Sequence, residues 1–107
     1  MIGLRLLYTL FGSREEAERV CHILLEEQLV ACANLLGPAR SLYRWNGALN
    51  DVEEWPAILK TTEKTSDAAM QRLAQLHSYD VPAITVLDAS GVHPAFAAWV
   101  ATETGGV

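Results

Sequence analysis

The side chains able to do chemistry are spread over residues 32–79: Cys32, Glu54, Lys60, His77 and Tyr79, with Cys21, His22 and His93 outside that group. A divalent ion needs converging donors, and Cys32, Glu54, His77 and Tyr79 are the available ones, joined by His22 or His93. Thiolate and imidazole together suit copper or zinc better than calcium or magnesium. Each donor also has a plainer role. Cys21 falls on the apolar face of a helix and reads as a small buried hydrophobe, and Cys32, in an apolar strand, reads as core before it reads as ligand. His22 adjoins Cys21 on the helix, so the two point apart and cannot chelate locally. His93 precedes Pro94 as a helix-entry residue, and His77 closes a helix, where the C-terminal end favours an imidazolium.

Glu54 and Lys60 are six residues apart on one strand. They share a face at about 20 Å separation and cannot pair with each other, so each expects a partner across a strand or subunit boundary. Nothing in the chain resembles a nucleophile elbow, a phosphate-cradling loop or a zinc-protease helix. A Cys32–His77 thiolate–imidazole pair is the one nucleophilic arrangement left, and no spacing joins the two. The expectation is a protein that is not an enzyme.

Periodicity supplies the elements. Leu4 to Phe11 carries Leu6, Tyr8 and Leu10 on one face and Leu7 and Phe11 on the other, the pattern of a central strand covered on both sides. Ser13 followed by Glu16 makes a capping box that opens a helix, with Val20, Cys21, Leu24 and Leu25 on its inner face and an end near Gln28. Val30 to Trp45 reads as one long strand, bent at Gly37-Pro38 because proline removes a ladder donor. Asn46-Gly47 makes the turn, and the return arm runs from Ala48 to Thr62. Thr65-Ser66-Asp67 starts a second helix with Ala69, Met70 and Leu73 inside. Ala83 to Leu87 is the last strand, and Pro94 opens a short terminal helix carrying Phe96, Trp99 and Val100.

The order β-α-β-β-α-β plus a short helix, with right-handed crossovers, predicts an α+β, ferredoxin-like sandwich: two helices on one face of a four-stranded antiparallel sheet. The 107 residues make one domain, residues 1–107, and half of them are apolar, enough for one core. Eight basic against 13 acidic residues give a net charge of −5, which argues against nucleic acid as a partner. No stretch reaches the roughly 18 consecutive apolar residues of a membrane span, and the N-terminal residues lack a basic start and a small-residue cleavage site. A cytoplasmic protein without a membrane partner is expected. The two cysteines lack close spacing, so neither a disulfide framework nor an all-cysteine zinc site is expected.

The long arm poses a problem of size. From Val30 to Trp45 it would span about 50 Å, against a radius of gyration near 13 Å for such a chain. It must fold back or leave its domain, exposing Leu42, Tyr43 and Trp45, and a neighbouring copy that covers them solves both problems. Tyr43 and Trp45 are therefore expected at an interface between copies.

These residues together resemble a known family. The run LVACANLL followed by SLYRWNG, Glu54 six residues before Lys60-Thr61, and His77-x-Tyr79-x-x-Pro82 are similar to the CutA family, the divalent-cation tolerance proteins, over nearly the whole chain. The resemblance implies a compact homotrimer like that of the PII signalling proteins, with the long hairpins paired between subunits. It also implies tolerance to copper and other divalent metals, with Cys32 and His77 as candidate ligands and no cofactor required beyond such an ion. An alternative reading is a PII-like regulatory trimer whose inter-subunit cleft, near Glu54, Lys60, His77 and Tyr79, takes a small anion or other effector. The chain departs from the family pattern in places: the usual His-Pro-Tyr reads His77-Ser78-Tyr79, Ala83 replaces an acidic residue, Leu36-Gly37-Pro38 stands for Ile-Pro-Gly, and Trp55-Pro56 follows Glu54. With a carboxylate missing at Ala83, a divalent ion has one ligand fewer there.

Overall fold

The computed structural model describes residues 2–105. Strand β1 (Leu4–Phe11) leads to helix α1 (Arg14–Glu26), strands β2 (Cys32–Leu35), β3 (Ala39–Trp45) and β4 (Ala48–Thr62), helix α2 (Ser66–Leu76), strand β5 (Ile84–Asp88) and helix α3 (Pro94–Glu103). The sheet runs β2-β4-β1-β5, all neighbours antiparallel, with β3 pairing further along β4. This is the predicted ferredoxin-like order. The long strand is interrupted at residues 36–38, however, so the expected four strands are five, and β4 alone runs unbroken from body to hairpin.

Side chains alternate across the pleat, and the two faces of the sheet have different covers. Leu7 and Phe11 of β1 and Ala57 and Leu59 of β4 pack under Ala17, Val20, Cys21 and Leu24 of α1 and Ala69 and Leu73 of α2. Burying a leucine of this kind contributes roughly 1.5–3 kcal/mol. On the opposite face α3 covers only the Leu4 end, where Leu4 and Ala31 meet Ala97 and Val100. The rest of that face is open in a single chain. Its members, by register, are Leu6, Tyr8 and Leu10 of β1, Ile58 and Lys60 of β4, Cys32 and Asn34 of β2, and Thr85 and Leu87 of β5.

Several local details depart from the sequence expectations. Helix α1 stops at Glu26 because Gln28 adopts a left-handed conformation at φ 58°, with the Leu29 N–H returning to the Leu24 carbonyl. The Ser13 hydroxyl caps α1 by accepting from the Glu16 N–H at 3.1 Å, but the Glu16 carboxylate does not close the box and serves Ser78 instead. Thr65 gives α2 no side-chain cap; its own N–H donates to the Thr62 hydroxyl. The last strand is shifted by one residue, to Ile84–Asp88. His93 does cap α3, its Nδ1 accepting from the Ala95 N–H at 3.2 Å, with Pro94 in the first turn.

The hairpin leaves the body rather than folding back. The chain measures 46 × 26 × 22 Å, and Asn46 and Gly47, at φ 50° and 77°, form the turn at its far end. Both residues need positive φ, as a two-residue hairpin turn demands.

One buried group lacks a partner. Thr9 Oγ1, beneath the helices, is the sole fully enclosed side-chain oxygen or nitrogen among the described residues without a hydrogen bond. An orphaned hydroxyl of this kind costs about 1–3 kcal/mol. Thr9→Val, which keeps the shape, should therefore leave urea stability unchanged or raise it by about 1 kcal/mol. A loss of more than that would mean that the hydroxyl has a partner in solution.

Candidate functional site

Residues 77–79, immediately after α2, tie that helix to three other elements. His77 is fully enclosed, stacked on Phe11 at 4.8 Å between ring centroids. Its Nε2 donates to the Leu10 carbonyl at 2.8 Å and its Nδ1 accepts from the Tyr79 N–H at 3.1 Å. Nδ1 therefore carries no proton in this arrangement, and the imidazolium expected at the helix end gives way to a neutral ring. Ser78 donates both its N–H and its hydroxyl to the Glu16 carboxylate, at 2.8 and 2.9 Å. A proline at this position would have neither donor.

The Tyr79 hydroxyl donates to Glu54 Oε2 at 2.9 Å. It reaches Glu54 over the end of β1, where Gly12 leaves room: a Cβ there would lie 3.2 Å from the hydroxyl. Burial, then the hydrogen bond and the charge of Glu54, push the Tyr79 phenol up to about 12, so it keeps its proton as a donor. Glu54 is only 6% exposed. Its Oε1 has no hydrogen bond among the described residues and is not fully enclosed.

A cleft of about 470 Å³ is lined by Leu10, Tyr43, Trp45, Glu54, Tyr79 and Asp80. It sits where β4 changes partners. Trp55 pairs with Phe11 of β1, whereas Glu54 pairs with Ala39 of β3. The pairing of Tyr43 with Asn50 and of Trp45 with Ala48 puts both aromatic side chains on the Glu54 face of the hairpin. The structure thus brings together Glu54, Tyr79, Tyr43 and Trp45. Lys60 is not among them; it lies opposite Cys32 and donates to Asn34 Oδ1.

Cys32 and His77 do not converge within one chain. Cys32 lies opposite Lys60, whereas Leu10, which holds His77, lies opposite Pro56, four residues further along β4 and about 13 Å away. Both ring nitrogens of His77 are engaged as well, so ligation would cost it an existing bond. Cys32 is half-buried, free of any disulfide, and on the open face. Cys21 is the core residue expected, its thiol pushed up to about 11 by burial. His22 is exposed. No group of three His, Cys, Asp or Glu able to hold a metal occurs among the described residues. Sequence reasoning missed Asp80 and the diversion of Glu16; a Glu at a capping-box position gives no local sign of a distant partner.

The architecture places the chain in the ferredoxin-like class, with an aromatic and acidic cleft at the hairpin root. The family model described as CutA1 divalent ion tolerance protein matches residues 5–103, and the chain belongs to that family. It is 41% identical to the divalent-cation tolerance protein CutA of Pyrococcus horikoshii over 92% of this chain and 96% of that one. The same protein of Thermotoga maritima is 37% identical, over 89% of this chain and 93% of its own. Among solved structures, CutA1 of Ehrlichia chaffeensis superimposes with a TM-score of 0.92 at 36% identity, covering 97% of each chain.

The burial of Tyr79 and its bond to Glu54 can be read together by titration. A phenol held above its ordinary value of about 10 contributes stability that is complete below about pH 10 and lost as pH rises through about 12. Tyrosinate absorbance should show a step near pH 12 that Tyr79→Phe removes. If the step that Tyr79→Phe removes lies near pH 10 instead, the phenol is neither buried nor bonded as the structure has it.

Proposed function

We propose that this chain serves divalent-cation tolerance as a cytoplasmic homotrimer that binds the ions, copper foremost, through Cys32. Family membership supports the tolerance role. The observation that carries the assembly is the open sheet face together with the projecting hairpin. Tyr8 and Leu87 on that face are exposed, as are Leu42, Tyr43, Trp45 and Leu49 on the arm. A two-stranded ribbon with bare edges is marginal alone, and a neighbouring copy satisfies its backbone and packs on Leu42, Leu49 and the outward edges of Tyr43 and Trp45, leaving the sides towards Glu54 to the cleft. Cys32 lies on the face that such a copy would cover. Its thiol is the soft donor that copper prefers, and neighbouring copies supply the further ligands that one chain lacks.

Native mass spectrometry with one equivalent of copper per chain tests both parts. The expected species is a trimer with bound copper, and Cys32→Ser should keep the trimer and lose the metal. Copper bound with unchanged stoichiometry by the variant would overturn the assignment. Replacing Tyr43 and Trp45 together by Ser should shift the trimer towards monomer at micromolar concentration, and an unchanged native mass would contradict their interface role.

The cleft favours a second reading, a PII-like regulatory trimer that takes an effector at Glu54 and Tyr79. With Lys60 outside the cleft, the anionic effector of that reading has lost its cation.

A further inference from the structure

We propose that the cleft at the hairpin root binds a small organic cation, an ammonium or amidinium group on a hydrocarbon body, with Glu54 as its counter-charge and Tyr43 and Trp45 as its aromatic walls. This rests on the effector-cleft reading and names the chemistry of the ligand. Three observations converge on it.

The first is charge. Glu54 is more than nine-tenths buried and lines the cleft, and its Oε1 has no hydrogen-bond partner among the described residues. The carboxylate is thus largely withdrawn from water while one oxygen stays accessible, and a cation in the cleft finds an acceptor for which no protein donor competes. Asp80 adds a second acid to the lining, and no lysine or arginine is part of it. An anion entering here would meet like charge and nothing to neutralise it.

The second is shape. At about 470 Å³ the cleft falls within the size range of small-molecule sites and is far larger than a bare ion needs. Val81, Ala83 and Leu10 supply apolar wall. No three metal-ligating side chains converge among the described residues, so a naked divalent ion would find too few donors.

The third is the aromatic pair. Tyr43 and Trp45 alternate along β3 on the side of Glu54, and their electron-rich faces attract an organic cation, which is weakly hydrated and gives up water readily. Tyr79 orients the arrangement: by donating to Oε2 it fixes the carboxylate and leaves Oε1 to accept from the ligand. An ammonium or amidinium N–H donating to that oxygen makes a charge-assisted hydrogen bond, stronger than a neutral one.

The test uses the assembled protein and three probes of one shape: benzamidine (cationic), benzamide (neutral) and benzoate (anionic). Binding is followed by calorimetry and by tryptophan emission. The expected result is saturable binding of benzamidine alone, weakened about tenfold or more by Glu54→Gln, whose shape is nearly unchanged, and severalfold by Trp45→Leu. Native mass of each variant is recorded alongside, so loss of assembly is separated from loss of the site. Benzoate or benzamide binding as tightly as benzamidine would overturn the cationic ligand while keeping an effector cleft. No saturable binding of any probe, the result expected if a neighbouring copy's side chain fills the space, would overturn both, as benzamidine affinity unchanged by Glu54→Gln would overturn the role of that carboxylate.

Discussion

Everything in this molecule depends on the length of β4. Its 15 residues, at about 3.3 Å a step, reach about 46 Å, the whole 46 Å length of a chain that is only 26 and 22 Å across its shorter axes. The C-terminal half, Trp55 to Thr62, has β1 on one side and β2 on the other side for much of its length, with helices above. The N-terminal half has β3 alone. The same strand is thus a core element at one end and a ribbon at the other, and the transition falls between Glu54 and Trp55. A cleft opens there because β1 stops at Phe11 while β4 continues.

Residues 77–79 hold the far wall of that cleft in place. His77 bonds to the β1 carbonyl of Leu10, Ser78 to the α1 carboxylate of Glu16, and Tyr79 to the β4 carboxylate of Glu54. Each bond alone is worth little more than about 1 kcal/mol net, somewhat more for the two made to carboxylates. Their value is geometric: three successive side chains aimed at three elements leave the segment after α2 little freedom. The neutral His77 ring is part of this, since only an unprotonated Nδ1 can accept from the Tyr79 N–H.

Much of this was legible in the sequence because the patterns are local. The capping serine of α1, the Asn46-Gly47 turn, the apolar spacing of both long helices and the return arm at Ala48 to Thr62 each follow from residues within a few positions of one another. What escaped depends on distance. The Glu16 carboxylate sits three residues after Ser13, where a capping box predicts it, yet it is drawn to Ser78, 62 residues away. Lys60 and Glu54 share a face as their spacing requires, but only the register of β1, β2 and β3 on β4 reveals that one lies beside Asn34 and the other at the hairpin root. His77, read as either ligand or helix-closing residue, is held in the structure by Phe11, the Leu10 carbonyl and the Tyr79 N–H.

The donor set divides on the same strand. Cys32, the soft donor, faces Lys60 across the β2–β4 ladder, and Glu54, the hard donor with an oxygen to spare, lies six residues back along β4, about 20 Å away. Both belong to the face that the helices leave open, yet no single ion can bridge such a gap within one chain. The two ligands proposed above differ in the same way: the Cys32 thiol beside Lys60 would suit a soft metal ion, and Glu54 with Tyr43 and Trp45 an organic cation. The spacing that kept Glu54 and Lys60 from pairing in the sequence therefore keeps Cys32 and Glu54 apart in the fold, and either side chain can be altered without touching the other.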